Sequence, residues 1–200
     1  TNEPASATNY YWLGVTEFHR MLQLRDGPTN ATAADIAMDN AVAALEFALT
    51  LDAGNAECHA LLGTIYGMKI NGSLLRGIRF GPSVAKQRKL ALATGKDNPR
   101  VQYLLGMCQF HTASKPAQWR EALATLEVAE KLFAEEEKNM AAPLAPRWGR
   151  DSCLAFIGRT HECLGDLEKA AEFYAKALKL HPHHHVAEAG LKRIGPNNAK

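Results

Sequence analysis

The hydrophobic and polar positions of this chain alternate with a helical period, most plainly over residues 151–184. Leu154, Ile157, Gly158 and His161 recur at three- and four-residue steps and mark one helix. Ala170, Tyr174 and Ala177 mark a second. Small residues alternate with large ones, so Gly158 and Ala170 let the two helices approach while Leu154, Ile157 and Tyr174 fill the seam. Gly165 and Asp166 form the turn that ends one helix and caps the next. Pro182 stops the second helix. The predicted unit is a helical hairpin, helix A followed by helix B.

Copies of this unit lie upstream in the same phase. One begins at Pro99, with Tyr103, Leu105 and Gly106 on helix A, Ala122, Leu126 and Ala129 on helix B, and extra turn residues within 111–120. Another begins at Ala56, with Leu62, Gly63 and Tyr66 on helix A and Leu90, Ala91 and Leu92 closing helix B; a larger turn insertion spans about 69–83. The earliest begins near Ala7, with Leu13 and Gly14 before a connector over 25–33 and Ala41, Leu45, Ala48 and Leu49 after it. Ala48 and Leu49 precede Ala56 by the interval that separates Ala91 and Leu92 from Pro99. Residues 134–150, with an acid run and then Pro143 and Pro146, read as a helix extension followed by a loop, and 186–194 as a short closing helix.

The hairpin over 151–184 resembles the tetratricopeptide repeat (TPR), which is about 34 residues long. His161 departs from the pattern, standing where the family usually has an aromatic ring. The resemblance implies an all-α fold: a right-handed α-solenoid of about four TPR-like hairpins with lengthened turns between helices A and B, ended by a C-terminal capping helix. Residues 1–6 are expected to be a flexible tail and 7–200 a single superhelical domain, with hairpins at about 7–55, 56–98, 99–140 and 151–184 and the cap at 185–195. The plain last repeat, together with Tyr66, Gly67 and Met68 ahead of a Gly-rich insertion, is similar to exported bacterial repeat proteins of unassigned function.

Composition narrows the function. The chain is 46% hydrophobic and 22% charged, with a formal net charge of +2 and its acids and bases interspersed, which offers no global attraction to nucleic acid or to an anionic membrane. No apolar run approaches the roughly 18 residues that cross a bilayer. The chain opens without a start methionine on a small polar segment, as either signal-peptide removal or trimming would leave, and the expected localisation leans toward the bacterial periplasm or secretion, with the cytoplasm as the alternative. Cys58, Cys108, Cys153 and Cys163 are scattered, form no CxxC pair and read as packing residues; unpaired thiols favour the cytoplasmic alternative. No GxSxG, P-loop, HExxH or dinucleotide fingerprint is present, and neither an enzyme nor a cofactor is expected.

In TPR proteins the concave wall is formed mainly by helix A. Carried onto this sequence, the resemblance implies a groove that includes Tyr11, Trp12 and Phe18, Leu61 and Met68, Tyr103, Met107 and Phe110, and Phe156 and Arg159. Aromatic and Met side chains with little charge suit a protein or peptide partner. The Lys and Asn of a carboxylate clamp are missing, since those positions hold Tyr11 and Val15, Ala60 and Thr64, Tyr103 and Met107, and Ala155 and Arg159. The competing reading is a small-ligand or metal-binding protein that uses the long insertions and a loop with His181, His183, His184 and His185. Adjacent histidines broken by Pro182 point in different directions, and no spaced Cys/His signature completes a four-ligand site. His59, His111 and His161 are expected to be buried packing residues.

Overall fold

The structure is a computed structural model, and it describes residues 6–25, 31–139 and 145–195. Of the tail expected over 1–6, only Ser6 lies among them; residues 26–30 of the first connector and Pro143 lie outside. Nine α-helices and no strand occur among the described residues: α1 (Ala7–Arg25), α2 (Ala31–Leu51), α3 (Ala56–Ile70), α4 (Leu74–Gly95), α5 (Pro99–Thr112), α6 (Pro116–Lys138), α7 (Arg150–Leu164), α8 (Leu167–Leu180) and α9 (His185–Ile194). They divide into two compact units, Thr1–Lys96 and Asp97–Lys200.

In the first unit α1 pairs with α2 and α3 with α4, and the hairpins meet through α2 against α3 and α1 against α3. In the second, α5 pairs with α6 and α7 with α8; α6 and α5 pack on α7, and α9 covers α7 and α8. Local chemistry explains where these helices start and stop. Asn55 caps α3 by accepting from the Cys58 backbone N–H at 3.0 Å. Asn98 caps α5 by accepting from Arg100 N at 2.9 Å and Val101 N at 3.2 Å, and Pro99 occupies the first helical position, where no N–H is needed. Gly165, with φ 84°, closes α7, and Asp166 caps α8.

Small residues hold the helix pairs together. A Cβ on Gly106 would sit 2.7 Å from Leu126 Cγ, so α5 and α6 lie closer than any larger residue permits. Tyr174 is fully buried, wedged between α7 and α9; a Cβ on Gly158 would come within 2.9 Å of its ring, and one on Gly190 within 2.2 Å. Around it Leu154, Ala155, Ala170, Ala177 and Ala187 form a core, flanked by Phe173, Leu178, Val186, Leu191 and Ile194.

The turns differ from the sequence expectation in one respect. The interval 69–83 reads as a lengthened turn, yet the break is confined to Asn71, Gly72 and Ser73, and the extra residues extend α4. Asn71 and Gly72 take φ values of 43° and 72°, which reverse the chain, and Ser73 then caps α4. Pro82 sits inside α4 on its exposed side, where water can satisfy the carbonyl that a proline N cannot reach. In the third hairpin, too, the break is short: α5 runs to Thr112 and α6 starts at Pro116.

Candidate functional site

The side chains that the resemblance assigns to a groove are placed as follows. In the first unit Tyr11 is 4% exposed, Phe18 2% and Leu61 0%, so all three are core. The Tyr11 hydroxyl donates to the Glu57 carboxylate, itself buried, and Trp12 meets Tyr11 edge-on at 5.4 Å between centroids while remaining half-buried. Met68 is half-buried and lies apart from these rings, lining a cleft of about 510 Å³ at the end of the hairpins that holds the α3–α4 turn. Leu24, Met38 and Phe80 give this cleft apolar walls; Asp35 and Arg76 give it charge of both signs, and Lys69 is neutralised by Asp39 at 2.5 Å. The cleft was not legible in the sequence, because its walls come from four helices; the half-buried Met68 was the only one of the assigned residues to reach it.

In the second unit the assigned residues do converge. Phe156 on α7 lies 6.4 Å from Tyr103 and 5.6 Å from Phe110 between centroids, and His111 meets Phe156 at 5.4 Å. The Arg159 guanidinium lies over the Phe110 ring at 5.3 Å. Tyr103, Met107, Phe110 and Phe156 are 5–8% exposed. They form a closed aromatic seam between α5 and α7, with half-buried Arg159 and exposed His111 at its rim. Burial pushes the Tyr103 hydroxyl well above its ordinary pKa, which keeps it neutral.

The histidines sort by burial. His59 is held by Gln87 at 2.6 Å and by the Ala53 carbonyl at 3.1 Å. His161 stacks on Phe173 at 5.7 Å and lies 3.6 Å from Asp166; burial lowers its pKa against the pull of that carboxylate. His111 corrects the expectation of a buried packing residue: it is exposed, standing one residue before the end of α5 with one side of its ring against Phe156.

In the His-rich loop, His181 is exposed and 3.2 Å from Asp151, and His183 is exposed with Glu188 at 3.8 Å. His184 is buried with Nε2 3.1 Å from Ser152 Oγ, and exposed His185 stacks on it at 5.6 Å. These imidazoles therefore face separate carboxylates or each other's rings, and among the described residues no three His, Cys, Asp or Glu groups converge to hold a metal. The Ser152–His184 contact supplies two members of a nucleophile–base relay, and among the described residues no side chain hydrogen-bonds His184 Nδ1 as a third. Burial also raises the thiol pKa values of Cys58, to about 12, and of Cys153 and Cys163, and all four cysteines are free.

The architecture is that of an all-α, TPR-like solenoid: antiparallel helical hairpins in series, each closed by a small residue of helix A against helix B, with a short terminal helix as cap. Among solved structures, one from the functional characterization of Pseudomonas aeruginosa PilF, a TPR-containing protein, is similar over 94% of this chain and 67% of its own, with a TM-score of 0.60 and 17% sequence identity. At that identity the similarity concerns the fold. No family model matches the sequence, and no curated protein does. No helix among the described residues is long and apolar enough to cross a membrane.

Proposed function

We propose that this chain is a non-catalytic scaffold that holds a protein or peptide partner. The observation that carries this reading is the pairing of a TPR-like fold with an open cleft beside Met68. Met68, Met38, Leu24 and Phe80 offer an adaptable apolar floor there, and Asp35 and Arg76 offer charges that fix orientation. The expected ligand is an extended or helical segment that inserts one or two apolar anchors between those charges. In the second unit the aromatic seam is already filled by its own rings, so contact there falls to the rim, Arg159 and His111. Trp12 serves in the same way in the first unit, and Tyr11, Phe18, Leu61, Tyr103, Met107, Phe110 and Phe156 act as the packed support behind these rims. Thiols held neutral by burial and an incomplete Ser–His relay support the non-catalytic part of the reading.

The test places a photo-crosslinking amino acid at Met68 and, separately, at Ala175, an exposed position on α8. A discrete adduct from Met68 that vanishes with Met38→Asp supports the cleft. Adducts of equal yield at both positions, or from Ala175 alone, would overturn it.

A further inference from the structure

The first half of α4 is the least covered apolar segment among the described residues. Leu74 and Leu75 are each 80% exposed and Ile78 69%. Helical geometry puts Leu75, Ile78 and Pro82 on one stripe, and α4 buries only Ala91 and Gly95, which lie on the opposite side against α3. The stripe begins right after the Asn71–Gly72 reversal, so its leucines stand at the tip of the α3–α4 hairpin. These three side chains line neither the cleft beside Met68 nor the shallower groove beside Val84 and Leu92. They form a ridge.

The charge along α4 itself has one sign, although Asp35 of α2 lines the cleft beside Arg76. Residues 70–96 contain Arg76, Arg79, Lys86, Arg88, Lys89 and Lys96 and no Asp or Glu, although the whole chain is only +2. Among the described residues Arg76, Lys86, Arg88 and Lys89 form no ion pair, and Arg79 instead lies over the Phe80 ring at 5.2 Å. The interspersed charge of the chain as a whole hides this local excess.

We propose that the tip of the α3–α4 hairpin docks on an anionic lipid surface, with Leu74, Leu75 and Ile78 entering the boundary between headgroups and acyl chains and the α4 cations meeting lipid phosphates. A protein partner would need a pocket shaped to this ridge, whereas a bilayer takes in protruding apolar side chains without shape complementarity. Unpaired Arg and Lys beside an apolar stripe match a negative surface, and their long stems let the charges stay at headgroup level while the helix sinks. The contact is peripheral; it shares Arg76 with the cleft beside Met68, whereas Leu74, Leu75 and Ile78 stand outside that cleft, so the Leu75→Asp, Ile78→Asp variant separates the two.

The experiment is co-sedimentation of the intact chain with vesicles of phosphatidylcholine containing 30% phosphatidylglycerol, against vesicles of phosphatidylcholine alone. Wild type is expected to partition onto the anionic vesicles and to be released as salt rises. Arg76→Glu with Arg79→Glu, and separately Leu75→Asp with Ile78→Asp, should each lower the partition coefficient roughly tenfold or more. Lys179→Glu on exposed α8 should change it less than about twofold. All of these positions are exposed or outward on their helices, and unchanged thermal melts will confirm that the variants fold. Equal sedimentation with both lipids, no sedimentation of wild type, or binding that survives either double variant would overturn the proposal. So would binding to soluble polyglutamate without binding to vesicles, which would assign the ridge to an acidic polypeptide.

Discussion

Single groups already carry testable consequences. His161 and His184 both titrate below the ordinary histidine value, burial being the larger cause in each; Asp166 opposes the shift at His161 and Asp151 at His184. A histidine held neutral by the fold takes up its proton first in the unfolded chain, so stability is lost as pH falls through about 6.5 and the loss ends below the folded pKa. Glu162 is shifted the other way, downward, by hydrogen bonds from Arg193 and Tyr174, and its contribution is lost later, as pH falls below about 4.5. Thermal melts across pH 8 to 3 should therefore show two steps of declining Tm. The double variant His161→Phe, His184→Gln should flatten the first step and leave the second; an unchanged first step would reject the assignment. The thiols give a second prediction at this scale. Cys163 is exposed while Cys58 and Cys153 are fully buried, so a thiol reagent should label Cys163 first and reach the buried pair only on unfolding. Peptide mapping of the labelled native protein checks the order.

At the level of elements, the cap depends on one ring. Tyr174 fills the gap between Gly158 and Gly190, and its hydroxyl donates to Glu162 at 2.5 Å; Arg193 of α9 reaches the same carboxylate at 2.8 and 2.9 Å. Hydrophobic wedge and charged clasp thus hold α9 against α7. Gly190→Ala forces a Cβ into the ring and should cost about 1–3 kcal/mol, and Tyr174→Ala, which leaves a cavity, about 3–5 kcal/mol. Urea unfolding monitored by circular dichroism measures both. A cost for Tyr174→Ala below about 1 kcal/mol would show that α9 is held by its charges instead. Much at this scale was readable in advance. The phase of Gly106 and Gly158, the Pro99 start and the Gly165–Asp166 stop are local signals, and they specify local structure; the Asn98 cap before Pro99 emerged only in the structure. Residues 69–83 misled because Gly72, Gly81 and Pro82 read as punctuation, while only Asn71, Gly72 and Ser73 break the helix.

At the level of the whole chain, the two compact units invite separation at Lys96 and Asp97. The second contains two hairpins and the α9 cap, with Tyr174, Phe156 and Leu126 buried inside it. Stacked repeats gain stability from neighbours, and about three are usually needed. A fragment of residues 97–200 should still unfold cooperatively, because its cap closes the terminal face. Calorimetry decides it, and a broad, non-cooperative transition would mean that the unit cannot stand alone.

The TPR-like fold was legible in the one-dimensional pattern because helix period, capping residues and the small-against-large alternation act between positions close in sequence. Whether a patterned face meets water was not legible, since a 3.6-residue period says which side chains share a face and nothing about what covers it. Helix A side chains that the family resemblance assigns to an open groove, among them Tyr11, Phe18, Leu61, Tyr103 and Phe156, are closed in by their own neighbours. Conversely Leu74, Leu75 and Ile78, which lay in an apparent loop insertion, stand in solvent among cations. Only tertiary packing, which sets one helix against another, decides which apolar residues are used up inside the chain and which remain free for something outside it.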